Sequence, residues 1–436
     1  MVTLYDVARR AGVSIATVSR VLHGQEPVRE TTRARVRAAI EELGYVPDGA
    51  AQSLARSRKD VIGLVCVEHT GLEPNQYDIE SMSLLFYDEV MRGVEARIRD
   101  LSWSLLITFL REDDNSGVTL PQDGPVASRL LALSGKVDGL LIGEGVVPSQ
   151  VLTRIAKRVP VVVVAGDTAQ RGVDVVSSDN WSGAHALVEH LVAVHGRRRL
   201  FHVDGPSTAP DAGARRLALH AVIDAHPGTV LTGTFRGRFT VHSGQEAAER
   251  LLADTRAAGR PLPDAIVCAN DQMAIGMVRT LTACGVRVPE ETAVVGFDDI
   301  FPAGLTDPPL TTVHQPMRKV GERGCDRLLE LIADPALRPR IEVLPAELVL
   351  RSSCGCPSGT VTRQQVATIA QRKAPNTDKL PSPMPRVASV TLSDYAASPI
   401  RLPGRAGLGA DLNPAAGLAA DLNPAAGLAN GEITER

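Results

Sequence analysis

Between residues 61 and 353, short β-branched runs alternate with amphipathic helical patterns, and this alternation constrains the fold more than any other feature. The expected strands are VIGLVCV (61–67), SLLITF (104–109), DGLLI (138–142), VPVVVVA (159–165), RLFHVDG (199–205), AIVCA (265–269) and AVVGF (293–297). Helical patterns such as Met82–Leu101 and Asn270–Cys284 lie between them. Parallel strands need long crossovers and helices supply them, so this order predicts a doubly wound parallel α/β fold. A body of roughly 290 residues is long for one such sheet and comfortable for two. Ligands of these sheets bind beyond the carboxyl ends of the strands.

A different pattern precedes the body. Residues 2–45 carry three short helical segments. Thr3 with Asp6 forms a capping-box signature, and Leu4, Val7, Ala8 and Ala11 mark one helical face. Ser14 can cap a second helix with Val18, Val21 and Leu22 inward. A third runs from Thr31 or Thr32 to Leu43, with Val36, Ala39, Ile40 and Leu43 inward and Gly44 as its stop. The turn at Gly12 makes the first two a helix-turn-helix. Residues 1–59 hold ten Lys/Arg against six Asp/Glu, a balance of +4, while the whole chain is at −3. A small basic head on an acidic body fits a polyanion-binding module joined to something else.

Residues 46–60 (VPDGAAQSLARSRKD) read as a linker able to hold a short helix, marginal by itself in water. Residues 357–436 are rich in Pro, Ala and Gly and repeat ADLNPAAGLA in tandem, a composition of disorder. No apolar run approaches membrane-spanning length, and Leu4 to Val13 is too charged for an export signal; a cytoplasmic protein is expected. The six cysteines are scattered apart from Cys354-Gly-Cys356, and no histidine joins that pair at metal-site spacing. Reduced thiols, with neither metal nor cofactor, are expected. There is no nucleophile elbow, phosphate loop or metal-ligand cluster to suggest an enzyme.

TLYDVARRAGVSIATVSRVLHG, the following TRARVRAAIEELGYVPDGAAQSLA and then VIGLV stand at fixed distances. With VDGLLIG (137–143), ANDQMAIG (269–276), VGFDD (295–299) and LTTVHQP (310–316), this run resembles the lactose-repressor-type (LacI) family of transcription regulators over residues 2–353. The resemblance implies four regions. They are a DNA-binding head (1–46), a hinge helix (47–60), a two-lobed periplasmic-binding-protein-like effector and dimerisation domain (61–355), and a tail (356–436). It implies a homodimeric repressor on a palindromic operator of double-stranded DNA, controlled by a small sugar-like or nucleoside-like effector.

In that family pattern Ser14 to Leu22 is the recognition helix, with Ile15 and Ala16 at the positions that set sequence choice. Apolar side chains can read thymine methyls, and Arg20 can supply a guanine contact. Thr17 and Ser19 suit phosphates. The alternative for Ile15 is a place in the head's own core. Leu54 matches the leucine that wedges into the minor groove from a hinge ordered on DNA; simple interdomain packing is the alternative. Thr3, Leu4, His23, Ala51 and Gln52 complete the expected DNA-contacting set. His23, Arg29 and Asp48 depart from residues common in the family.

For the effector, Asp298 is the first expectation, followed by Asn270, Arg216, Phe239, Phe86 and Tyr87, with the register at Arg215–Arg216 open by one residue. Each could instead be a satisfied surface or capping residue. The stretches 68–83 and 111–125 are longer than the family pattern and reshape the expected pocket mouth. A solute-binding protein without a nucleic-acid role is the competing reading, but it leaves residues 2–60 unexplained.

Overall fold

The computed structural model describes residues 2–22, 27–46, 58–69, 85–101, 103–112, 125–143, 147, 149–165, 172–359 and 361–367. The expected hinge with Ala51, Gln52 and Leu54, together with His23, Asp48, most of both long stretches and the tandem repeat, lies outside these residues.

The head is three helices, α1 (Leu4–Ala11), α2 (Ile15–Leu22) and α3 (Glu30–Leu43). Asp6 accepts from the Thr3 N–H at 3.0 Å and from its hydroxyl at 2.6 Å, which fixes the start of α1. Gly12 ends it in the left-handed region at φ 62°, a conformation glycine adopts without steric cost. Ser14 Oγ then accepts from the Thr17 N–H at 3.2 Å and opens α2. Arg29 precedes α3 without capping it, since a guanidinium has no acceptor to offer. Val7, Ala8, Ala11, Val18, Val36 and Ala39 are buried together. Arg35 of α3 donates to the Ala11 carbonyl at 2.6 Å, tying α3 to the turn between α1 and α2.

The body begins with β1 (Val61–His69), β2 (Ser104–Glu112), β3 (Gly139–Gly143), β4 (Val161–Val164) and β5 (Asp174–Ser178). It continues with β6 (Arg199–Asp204), β7 (Val230–Arg236), β8 (Ala265–Cys268) and β9 (Ala293–Val295). Last come β10 (Thr312–His314), β11 (Ile341–Leu344), β12 (Glu347–Leu350) and β13 (Thr362–Gln365). Two parallel sheets result, in the orders β2-β1-β3-β4-β5-β11 and β7-β6-β8-β9, beside a small antiparallel sheet β10-β12-β13. Each parallel sheet is the centre of one lobe. Alternate residues go to opposite faces: Ile62, Leu64 and Cys66 join one core cluster and Val65 another.

In each lobe a pair of helices meets backbone to backbone. Gly93 in Leu85–Ile98 and Gly321 in Met317–Ala333 face each other's chains, so that a Cβ at Gly93 would strike the Arg318 carbonyl and one at Gly321 the Val90 carbonyl. Gly244 in Val241–Ala257 and Gly276 in Asp271–Ala283 repeat the arrangement in the second lobe. The chain passes between lobes after β5, after β10 and after β11. β11 and the Met317–Ala333 helix therefore return late sequence to the first lobe.

β5, β7 and β10 to β13 were not among the expected strands. β7 is an edge strand whose residues alternate between exposed and half-buried, so it lacks an apolar run. β13 corrects the expectation of disorder from residue 356. Its polar TRQQ pairs antiparallel with β12, and Val366 packs on the second lobe's core. Backbone pairing leaves no apolar signature when both faces are wet. Among the described residues, no helix is long and apolar enough to cross a membrane.

Candidate DNA-binding and effector sites

On α2, Ala16 and Arg20 are exposed, while Thr17 and Ser19 are half-buried. Ile15 is half-buried as well and packs against the head's core. It packs against the cluster that holds Val18 and keeps part of its side chain exposed. Ser14 Oγ lies 2.9 Å from Thr17 Oγ1, so the first turn presents two coupled hydroxyls beside exposed Ala16. Thr3 is exposed and Leu4 half-buried at the start of α1.

The second lobe gathers charged groups at the carboxyl ends of its strands, where parallel sheets bind ligands. Asp204 closes β6 and is wholly buried; it receives Arg216 at 2.8 Å and Arg236, the last residue of β7, at 2.9 Å. Asn270 follows β8 and caps the next helix, accepting from the Met273 N–H at 3.1 Å. Its amide nitrogen donates to the Phe239 carbonyl at 3.1 Å. Asn270 is thus a positioning residue for Phe239, which stands in the left-handed region at φ 63° with its ring over Gly205, where no Cβ would fit.

Asp298 and Asp299 follow β9, both left-handed at φ 121° and φ 59°. Non-glycine residues held there store strain that clusters at functional sites. Their carboxyls diverge. Burial pushes Asp298 up to about 7, against the Arg215 cation and a Gln315 donor at 2.6 Å that pull the other way. Burial also acts on Asp299, but donors on His314 (3.2 Å) and Arg351 (2.6 Å) outweigh it and hold this carboxyl below the usual range. Asp271 lies wholly buried beside them; burial and the Asp298 charge push it well above the carboxylate range.

The guanidinium beside Asp298 is Arg215, the neighbour of the arginine singled out from sequence. Arg215 is 5% exposed, lies 4.0 Å over the Phe297 ring, donates to Asn180 at 3.0 Å and pairs with Asp211 at 3.0 Å. It stands 3.8 Å from Asp298. Arg216 instead faces Asp204. The choice between adjacent arginines on one helix depends on which faces the sheet, and the surrounding helical pattern is too weakly amphipathic to show it. In the first lobe, Phe86 and Tyr87 meet edge to face with ring centroids 5.2 Å apart. The Tyr87 hydroxyl covers Gly143 at the carboxyl end of β3.

Sequence reasoning missed Asn180 and Asp271, and it missed a second cluster away from the strand ends. Cys354 and Cys356, without a histidine near in sequence, lie against His190 and His195.

Comparisons with known proteins agree with this architecture. Residues 3–48 match the bacterial regulatory proteins of the lacI family, and residues 188–354 match a periplasmic binding protein-like domain. The ribose operon repressor of Escherichia coli is 31% identical over 355 residues, covering 79% of this chain and 98% of that protein. The HTH-type transcriptional repressor PurR of Photobacterium profundum is 29% identical over 357 residues, covering 81% of this chain and 98% of its own. Among solved structures, the lac repressor dimer bound to operator and the anti-inducer ONPF superposes with a TM-score of 0.68 at 28% identity, covering 81% of this chain and 99% of that one. The CelR–cellobiose complex gives 0.56 at 29% identity, covering 81% and 100%.

The fold and its relatives define a DNA-binding transcription regulator with a periplasmic-binding-protein-like body. The chain belongs to the lacI family of bacterial regulatory proteins. These relatives are repressors of transcription, not enzymes.

Proposed function

We propose that this protein is a cytoplasmic homodimeric repressor that binds a palindromic operator and is released or recruited by a small polyhydroxylated or nucleoside-like effector held at Asp298. The observation that carries the effector reading is the Asp298 carboxyl itself. It is buried and strained at a strand's carboxyl end, with Gln315 donating at 2.6 Å and the Arg215 guanidinium only at the long ion-pair distance of 3.8 Å. Such a group gains most from ligand hydroxyls that replace the water it lost. Phe86, Tyr87 and Phe239 supply the aromatic walls, Arg216 a guanidinium at the mouth, and Asn270 holds Phe239 in place. A similar repressor is named for the ribose operon and a similar structure holds cellobiose, which favours a sugar.

In the head, Ser14, Ile15, Ala16, Thr17, Ser19 and Arg20 form the surface that enters the major groove, with Thr3 and Leu4 at the backbone. His23 completes it from the head, and Ala51, Gln52 and Leu54 from the segment that joins residues 1–46 to the body. One such head reads a short half-site, and two related by a dyad read a palindrome. Phe301 and Leu305, 81% and 70% exposed on the turn after Asp299, give the body an apolar face suited to a second copy. Selection of bound sequences from random DNA, repeated with a panel of sugars and nucleosides, tests the whole reading. A two-fold symmetric consensus whose recovery changes with one class of metabolite is expected. Enrichment without symmetry, or no response to any of them, overturns the dimer or the effector reading respectively.

A further inference from the structure

At the far end of the second lobe four soft donors converge. His190 and His195 lie at the two ends of a π-helical turn that continues the Asn180–Glu189 helix. A π turn closes i to i+5, so it brings these two imidazoles to one side where an α-helix would splay them. Cys354 and Cys356 come from the segment after β12, more than 150 residues later. The four ligand atoms all lie within 4.8 Å of one another. His190 Nε2 is 3.0 Å from His195 Nε2, Cys356 Sγ is 3.4 Å and 3.5 Å from the two, and Cys354 Sγ is 3.7 Å from His190 Nε2.

These four separations are close to edges of a coordination tetrahedron. Zinc bonds of about 2.0–2.1 Å to nitrogen and about 2.3 Å to sulfur give edges of about 3.4 Å between nitrogens and about 3.6 Å between nitrogen and sulfur. The backbone is shaped for it. Gly355, between the cysteines, is left-handed at φ 111°, and a Cβ there would come within 3.3 Å of the His195 ring. Only glycine lets both sulfurs turn to one point against that imidazole. Thr311 Oγ1, 3.2 Å from Cys354 Sγ, is placed to donate to a thiolate, the outer support that metal sulfurs commonly have.

We propose that His190, His195, Cys354 and Cys356 bind one zinc ion in a closed structural site. Two thiolates with two imidazoles in a tetrahedron select zinc over harder or octahedral cations, and four protein ligands leave no position for a substrate. The ion clamps the end of the Asn180–Glu189 helix to the chain after β12. The same helix begins at Asn180, which accepts the Arg215 hydrogen bond beside Asp298. The metal thus holds one end of a helix whose other end is hydrogen-bonded to Arg215 beside Asp298.

The test uses the full chain, reduced and stripped with a chelator, then titrated with Co2+ and afterwards with Zn2+. About one ion per chain, tetrahedral visible bands, a thiolate-to-cobalt charge-transfer band and displacement by zinc are expected, together with a thermal midpoint that falls on stripping and recovers with zinc. Cys356→Ser and His195→Ala each remove a ligand and should weaken zinc binding by more than the roughly 10–100-fold that outer-shell changes cost. Cys284→Ser, at an exposed cysteine elsewhere, should leave the spectrum unchanged. If Cys356→Ser does not fold, His195→Ala and the stripped parent decide the matter. An octahedral cobalt spectrum, binding far below one ion per chain, or variants with parental affinity overturn the site.

Discussion

Two buried arginines each face an aspartate in the body, and the contrast separates a tight structural pair from a looser one. Arg327 and Asp174, both 4% exposed at the side chain, are in direct contact at 2.5 Å. Arg327 also donates to Glu330 and to the Arg338 carbonyl, and Asp174 accepts from the Arg340 N–H. Every charge has a partner within the chain, and the pair fastens the Met317–Ala333 helix to β5. Arg215 is equally buried but gives its close contacts to Asn180, the Ala269 carbonyl and Asp211, leaving Asp298 at 3.8 Å. With Gln315 at 2.6 Å and its guanidinium only at 3.8 Å, Asp298 is held less closely than Asp174. Proteins retain such groups where something else completes them.

The largest effect expected from this difference is on stability. Arg327→Ala strands Asp174 and should cost about 3–5 kcal/mol in chemical denaturation. A cost under about 1 kcal/mol would erase the distinction. Asp298→Asn should act in the opposite sense. Its folded carboxyl titrates at about 7, above its unfolded range, so folding pays for ionisation there as pH rises through that window. The variant should therefore match the parent near pH 4 and exceed it in stability above pH 7. It should also lose effector affinity by roughly 10–150-fold, the worth of about 1.5–3 kcal/mol for a hydrogen bond to a charged group. If effector affinity survives intact, Asp298 is not the binding group.

Of comparable size is the pH dependence of binding by the parent. Ligand hydroxyls favour the ionised carboxyl, so affinity should strengthen from pH 5 to about 7 by at most tenfold per pH unit and then level off. Calorimetry in buffers of different ionisation enthalpy would show proton release over that range; no release breaks the link. The smallest change carries the distinction into the head, where Ile15 serves both core and surface. Ile15→Ala should relax base discrimination by about 1–3 kcal/mol at most, with a modest fall in the head's melting midpoint. Binding selections that return the parental consensus would leave Ile15 as core alone.

What could be read from the chain followed the range of the interactions. The caps at Thr3, Ser14 and Gly12 and the faces of α1 to α3 are local, three or four residues apart, and were readable. So were buried strands such as β3 and β4, whose runs are apolar on both faces. The edge strands β7, β11 and β13 were not, because exposure removes their signature. Asp298 stood out through its motif, but its raised proton affinity arises from burial and the surrounding groups, including Arg215, Gln315 and Asp211, brought together by tertiary packing. The His–Cys cluster lay furthest from view, since its halves are separated by most of the second lobe. A cysteine pair flanking glycine was the only trace of it.

The three passages of the chain between the lobes have a consequence for anyone who would take the molecule apart. Neither lobe is a cassette. A piece ending after β5 would lack β11 at its sheet edge and the Met317–Ala333 helix whose glycine seat lies on Leu85–Ile98. A piece starting there would carry that strand and helix with nothing to cover. The two-lobed body must be expressed whole, whereas α1 to α3 bury a core of their own.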